Sequence, residues 1–342
     1  MKILFITDNF PPEVNAPATR TIEHCKEWIK NGAEITVITC FPNFPRGKVF
    51  EGYKNQWKQI EEMDGIQVIR IWTYIAPNAG FLKRILDYFS FAFTSFIAGL
   101  HVKTDVIVAT SPQFFTTISG FLLSFFKRKP WIFELRDLWP ESIITVGAMK
   151  KGFIYHVLEK IELFLYKKSS VVVPVTNSFK RNLISRGINE KKIKVVTNGS
   201  NMELFKPAEK NIELLEELGL KNKFILGYIG THGMAHGLKF ILDCMKKQEN
   251  EKIHLLMIGE GAEKKDLLAH AEKLNLKNVT FLDPVPKEYI SKYISITDVT
   301  LVPLKKCDTF KTVIPSKIFE SAAMKKPILL GVEGETKEII EK

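Results

Sequence analysis

Short apolar, β-branched runs alternate along the chain with longer amphipathic stretches. The first set is KILFIT (2–7), EITVIT (34–39), QVIRIW (67–72), DVIVAT (105–110), WIFEL (131–135), VVVPVT (171–176) and KVVTN (194–198). Each run is continuous rather than alternating, the pattern of a strand buried on both faces of a parallel sheet. Helical stretches lie between most of them, so the pattern predicts βαβ units of a doubly wound α/β fold. It then restarts with FILGYIG (224–230), HLLMIG (254–259), NVTFLD (278–283), DVTLVP (298–303) and PILLGV (327–332). Between the two sets lies NMELFKPAEKN (201–211), polar and linker-like. We therefore place a domain boundary near residue 206, giving domains 1–205 and 206–342. Two Rossmann-like domains in series predict a cleft between the carboxyl ends of their strands, where open α/β sheets bind ligands.

Composition adds a direction. The chain has 342 residues, 45% of them hydrophobic, which suits two domains of ordinary size. Its net charge of +11 is uneven. Residues 1–200 carry 27 Lys/Arg against 17 Asp/Glu, whereas residues 201–342 carry 22 against 21. The excess points to an anionic partner of the first domain, a membrane surface in preference to a nucleic acid; surface charge for solubility is the plainer alternative. The start, MKILFITDNF, has too short an apolar run for a secretory signal and meets an acid at once. Cys25, Cys40, Cys244 and Cys307 are far apart in sequence, which excludes a C-x-x-C pair and zinc spacing and suggests reduced thiols in the cytosol.

The candidate chemistry lies in the loops after the strands. DNFPPEVNAPATR (8–20) is an extended, helix-opening loop whose amides can face an anion. RDLWPES (136–142) either buries an Arg136–Asp137 pair with Trp139, or brings Asp137 or Glu141 to the cleft to position an acceptor hydroxyl or take its proton. GTHGMAHG (230–237) sets Gly230, Gly233 and Gly237 at a strand-to-helix turn, which is either a tight turn or a phosphate cradle. His232 and His236 have a zinc-like spacing, but no acid lies between them and no third ligand is evident, so no metal is expected. Gly259-Glu260-Gly261 begins like a dinucleotide fingerprint, but Lys264 replaces the third glycine.

Two further stretches carry alternatives. FLKRILDYFSFAFTSFIAGL (81–100) has Lys83 and Arg84 at its front and one acid, Asp87. Its apolar run, about 16 residues, falls short of the roughly 20 that span a bilayer. It is a core helix or, with FLLSFFKRK (121–129), a helix lying in a membrane interface. In IPSKIFESAAMKKPIL (314–329), Lys317 and Glu320 share a helix face. An i,i+3 pair contributes only about 0.2–0.5 kcal/mol. A lysine at a helix start also opposes the macrodipole, and a bound pyrophosphate would remove that conflict.

Together DNFPPEVNAPATR, RDLWPES, VVTNGSNMELFKP (195–207), YIGTHGMAHGL (228–238), MIGEGAEK (257–264) and PSKIFESAAMKKPIL resemble a family-4 retaining glycosyltransferase of the GT-B fold, over essentially the whole chain. The likeness is to the bacterial branch that builds surface polysaccharide, including N-acetylfucosaminyl transferases of O-antigen synthesis. It implies two Rossmann-like domains facing across a cleft and a nucleoside-diphosphate sugar donor, UDP-linked, held by the C-terminal domain. It implies donor contacts at Asn15, Asn198, Gly230, Thr231, His232, Gly233, Gly259, Gly261, Val285, Pro315, Ser316, Lys317 and Glu320. Glu320 falls on the ribose position, Lys317 on the diphosphate position and Val285 near the base. Catalytic roles fall to Asp137, Glu141 and Lys317, with no metal and no cofactor. The implied acceptor is a lipid-linked sugar at the basic, aromatic N-terminal domain of an enzyme peripheral to the inner face of the cell membrane, without nucleic acid.

Three departures stand out. Thr312 occupies the place of the acid eight residues before Glu320, which usually contacts the donor sugar. Met234 stands where an arginine or lysine is common. The sequence ends at Lys342, where the family continues into further helices, so a truncated form is expected. A UDP-sugar epimerase of the same fold and a non-catalytic binder of nucleotide sugar or nucleic acid are the rival readings.

Overall fold

The computed structural model describes residues 1–75, 81–111, 113–145, 147 and 149–341. It comprises two compact units, Met1–Thr197 and Asn198–Lys342. In the first, β1 (Lys2–Ile6), β2 (Glu34–Cys40), β3 (Lys58–Met63), β4 (Ile66–Ile71), β5 (Val106–Thr110), β6 (Trp131–Leu135) and β7 (Val171–Pro174) form a sheet among the described residues. The strand order is β3-β4-β2-β1-β5-β6-β7, parallel throughout except for β3 against β4. The continuous apolar runs are explained by burial on both faces: Leu4, Phe5 and Ile6 are all fully buried in β1.

Two expectations are corrected here. Strand β3, KQIEEM, was not expected. Its burial alternates, so it lacks the run of a two-faced strand, and Asp64-Gly65, both at positive φ, turn it back on β4. Conversely, KVVTN (194–198) is not a strand. Only Lys194 and Val196 donate to the Val172 and Pro174 carbonyls, beside an isolated bridge at Ile193.

The second unit holds β8 (Phe224–Ile229), β9 (Ile253–Ile258), β10 (Val279–Leu282), β11 (Val299–Pro303) and β12 (Ile328–Gly331). Their order is β10-β9-β8-β11-β12, all parallel. One core lies between this sheet and the helices Leu238–Lys247 and Lys264–Lys273, built on Tyr228, Leu238, Leu242, Leu255 and Leu267. In each sheet the order of strands reverses at one point, beside β1 and β5 in the first and β8 and β11 in the second. Crevices open outside the carboxyl ends of strands at such points.

The helix Phe81–Leu100 buries one face and exposes aromatic side chains on the other. One face packs against the helix Phe114–Lys127, burying Phe91 and Ser95, whose hydroxyl bonds the Ser119 hydroxyl at 2.9 Å. The other leaves Phe89 60% and Phe93 59% exposed. The side chain of Arg84, named above at the front of this helix, lies outside the described residues. Among the described residues, no helix is long and apolar enough to cross a membrane.

Candidate functional site

The second unit concentrates its unsatisfied polar atoms at the ends of β8 and β9. The ladder between these strands continues past them: Gly230 N–H donates to the Ile258 carbonyl at 2.9 Å and His232 N–H to the Glu260 carbonyl at 2.9 Å. Glu263 N–H returns to the His232 carbonyl at 2.9 Å. The two loops therefore touch backbone to backbone, and only glycine fits. A Cβ on Gly259 would stand 2.0 Å from the Gly230 carbonyl oxygen, and one on Gly261 would stand 2.4 Å from the His232 carbonyl oxygen.

Lys317 is brought to this floor by the start of the helix Lys317–Ala323. Its ammonium lies 3.8 Å from the centroid of the buried Tyr228 ring and crowds the position a Gly230 side chain would take. The nitrogen is buried and has no hydrogen-bond partner. Burial pushes its pKa down to about 7, opposed by Glu320 one turn on. A cation removed from water in this way is costly, and a neighbouring anion offsets the cost. Around it, His232 has neither ring nitrogen paired and His236 leaves Nδ1 unpaired. Burial first, then neighbouring cations, hold both imidazoles down at about 3, so they are neutral. Among the described residues no group of three or more His, Cys, Asp or Glu is placed to hold a metal.

The structure thus brings Gly230, His232, Gly259, Gly261 and Lys317 together, with Glu320 in electrostatic contact with Lys317. Thr231 accepts the Tyr228 hydroxyl through its carbonyl at 2.6 Å, Gly233 follows in the same loop, and Pro315 and Ser316 lead into the Lys317 helix. Val285 follows β10 and packs against the cluster of Leu215, Ile225 and Leu256. Asn198 begins the second unit, well before β8. Lys264, the residue that spoils the dinucleotide fingerprint, ties the loop to the sheet, its ammonium donating to the Gly259 and Leu282 carbonyls at 2.9 and 2.8 Å. Thr312 donates its hydroxyl to the Thr309 carbonyl at 2.7 Å, closing a short turn.

The remaining predicted residues lie in the first unit. Asn15 caps the helix Ala16–Lys30, accepting from Ala18 N–H at 2.9 Å, and its amide donates to Asn9. Asp137 follows β6, and burial raises its pKa against the pull of Arg136 and Arg20. Glu141 opens the short helix Glu141–Thr145. Trp139 stacks on Phe114 with centroids 4.6 Å apart. Arg136 and Asp137 are electrostatically coupled, and Arg136 also faces Glu134, a strand residue that the apolar pattern concealed. The Glu134 carboxylate faces Arg20 at 3.4 Å, His24 at 3.7 Å and Arg136 at 4.0 Å.

Comparisons with known proteins fit this arrangement. Residues 15–199, more than half of the chain, match the family model of the glycosyl transferase 4-like domain, and residues 210–342 match that of glycosyl transferases group 1. An Escherichia coli (strain K12) protein, whose name assigns it to colanic acid biosynthesis as the glycosyl transferase WcaI, is 26% identical over 93% of this chain and 80% of its own length. The N-acetylgalactosamine-N,N'-diacetylbacillosaminyl-diphospho-undecaprenol 4-alpha-N-acetylgalactosaminyltransferase of Campylobacter jejuni is 27% identical over 43% of this chain and 40% of its own length. Among solved structures, Anabaena HepE in complex with UDP-glucose has a TM-score of 0.73 at 17% identity, covering 100% of this chain and 83% of HepE. The fold is GT-B, with two parallel-sheet α/β domains. With its first unit matched almost end to end, the chain belongs to the glycosyl transferase 4-like family.

Proposed function

We propose that the chain is a retaining glycosyltransferase that moves a sugar from a UDP-sugar to a lipid-linked acceptor in surface polysaccharide synthesis. The observation that carries this reading is the Lys317 ammonium, buried without a partner over a glycine floor at the carboxyl ends of parallel strands. A diphosphate would supply a counter-anion, and turns without side chains at the glycines favour its close approach. Glu320, one turn along the same helix, would bond the ribose. As the sugar–phosphate bond breaks, negative charge grows on the leaving diphosphate, and Lys317 stabilises it where it develops. Attack of the acceptor hydroxyl from the leaving-group side retains configuration. Asp137 positions that hydroxyl, its raised pKa suiting a group that exchanges a proton.

The names of the relatives support a role in polysaccharide synthesis, and the Campylobacter name supports a diphospho-undecaprenol acceptor. The exposed aromatics Phe89 and Phe93 on one helix, and Phe125 and Phe126 followed in sequence by Lys127, Arg128 and Lys129 on the next, support docking on an anionic membrane. The donor is a UDP-linked amino or deoxy sugar, and Thr312 bonds within its own turn. A thermal-shift screen of nucleotides and nucleotide sugars tests the reading. UDP and UDP-sugars are expected to raise the melting temperature of the wild type and not of Lys317→Met. A screen in which no nucleotide stabilises the chain overturns it.

A further inference from the structure

We infer that Tyr228 is a positioning residue of the donor site: the face of its ring seats the Lys317 ammonium and leaves the N–H groups of that ammonium to a ligand. That the ligand is a donor diphosphate rests on the reading above; the seat itself rests on the geometry of the second unit. Lys317 Nζ stands over the Tyr228 ring, 3.8 Å from its centroid, and has no hydrogen-bond partner. The negative face of an aromatic ring attracts an ammonium at such a distance, more strongly when both are withdrawn from water. A ring face holds the charge without supplying an oxygen acceptor, so the three N–H donors of the lysine remain available. The same nitrogen lies 2.9 Å from where a Gly230 Cβ would stand, so the seat lies against the glycine turn.

A neighbouring lysine shows the other way to hold a cation here. Lys264 lies 5.5 Å from the Phe281 ring centroid, but its ammonium donates to the Gly259 and Leu282 carbonyls at 2.9 and 2.8 Å. Backbone oxygens hold that lysine, and its donors are spent on tying loop to sheet. The ring under Lys317 is itself fixed. Tyr228 lies in β8, fully buried, and packs with Leu238, Leu242, Leu255 and Met257. Its hydroxyl donates to the Thr231 carbonyl at 2.6 Å, so one side chain ties down the turn and seats the cation beside it. Burial first, then Glu263, push the phenol pKa up, so the hydroxyl stays a donor. The rings of His232 and His236 flank Tyr228 at 5.7 and 6.0 Å, and both are neutral, so neither adds a positive charge to the seat. Glu320 acts on Lys317 from its own helix. A leucine at position 228 would serve the core but offer the ammonium no ring face.

The test grades the ring while nearly preserving its shape. Starting from Tyr228→Phe, phenylalanine carrying no, two or three ring fluorines is placed at position 228 of the full chain, since fluorination weakens the negative face stepwise. Each version is made with Lys317 and with Lys317→Met. Urea denaturation is read without UDP at about pH 6, below the Lys317 pKa of about 7, where the ammonium is charged. The midpoint is expected to fall stepwise with fluorination only where Lys317 is present. UDP affinity in the Lys317 series, read by isothermal calorimetry, is expected to weaken stepwise, by about fivefold in total. A ring that merely fills the core gives the same midpoint trend with Lys317 and with Lys317→Met. That outcome, or no trend in either, overturns the proposal. A Lys317-dependent midpoint trend with constant UDP affinity also overturns it, because the ring would then hold the cation without positioning it for the donor. If Tyr228→Phe does not fold, fluorinated tyrosines, which keep the hydroxyl, carry the same series. Failure of UDP to bind the wild type condemns the donor reading instead, and the urea series then decides the seat alone.

Discussion

The two units each place buried basic side chains where the order of strands reverses, yet they satisfy them in opposite ways. In the first, Arg20 and Arg136 already face Glu134 and Asp137, so an arriving anion must compete with resident carboxylates. In the second, Lys317 has Glu320 in electrostatic range but no hydrogen-bond partner, and its ammonium rests on the Tyr228 ring. A lysine desolvated in this way is poised, since most of the electrostatic gain is released when the ligand arrives. A carboxylate-filled crevice holds its shape without a ligand and gains less from one. The difference separates a lysine held without a hydrogen-bond partner from arginines already set against carboxylates.

The comparison breaks most visibly at the glycine floor. Gly259→Ala forces a Cβ into the Gly230 carbonyl and is expected to cost about 3 kcal/mol of stability, at the upper end of ordinary overpacking, read by urea denaturation. A cost below about 1 kcal/mol would mean the two loops are free to separate. Lys317→Met is expected to lower UDP affinity by about 10–100-fold, the worth of a charged hydrogen bond of about 1.5–3 kcal/mol. A change under twofold would remove the contrast between the units.

The same lysine gives a pH signature. Its folded pKa is depressed to about 7 from 10.5, so between these values the unfolded chain holds a proton that the folded chain has released. Stability of the UDP-free chain should therefore rise with pH across that window, and Lys317→Met should flatten the rise. An identical pH profile in the two proteins would show that the ammonium is not desolvated. Glu320→Ala should weaken UDP by about 3–10-fold, as loss of a single ribose hydrogen bond does, and unchanged affinity removes it from the site. Smallest is the surface effect. Phe89→Ser with Phe93→Ser should leave UDP binding intact while reducing sedimentation with anionic liposomes, and undiminished sedimentation would direct attention away from that helix.

Much of the fold was legible in the sequence because it rests on local rules. The continuous apolar runs gave β1, β2, β4 to β7 and β8 to β12, since strands buried on both faces need no alternation, and even β12, which alternates half-buried and exposed positions, carries such a run. Gly230, Gly259 and Lys317 were visible because a glycine at the end of a strand and a cation at a helix start are both locally expensive. Strand β3 escaped because an exposed edge strand carries little apolar signal, although Asp64-Gly65 is a hairpin turn in plain view. Residues 194–198 misled because two valines resemble a strand, whereas the segment makes only two backbone bonds to β7 beside one isolated bridge.

Glu134 illustrates the boundary between the two kinds of knowledge. In WIFEL it looks like one polar residue in an apolar strand, and nothing near it in sequence announces Arg20, 114 residues away. Tyr228 likewise reads as a core aromatic until Lys317 is laid across it. By itself the sequence determined most of the elements, their α/β grammar and the glycine turns at the strand ends, because those follow from burial pattern and conformational preference along the chain. Only the tertiary structure decided which charges are compensated, because pairing depends on distances between residues far apart in sequence. Thus one crevice arrived with its counter-charges in place and the other kept a bare ammonium.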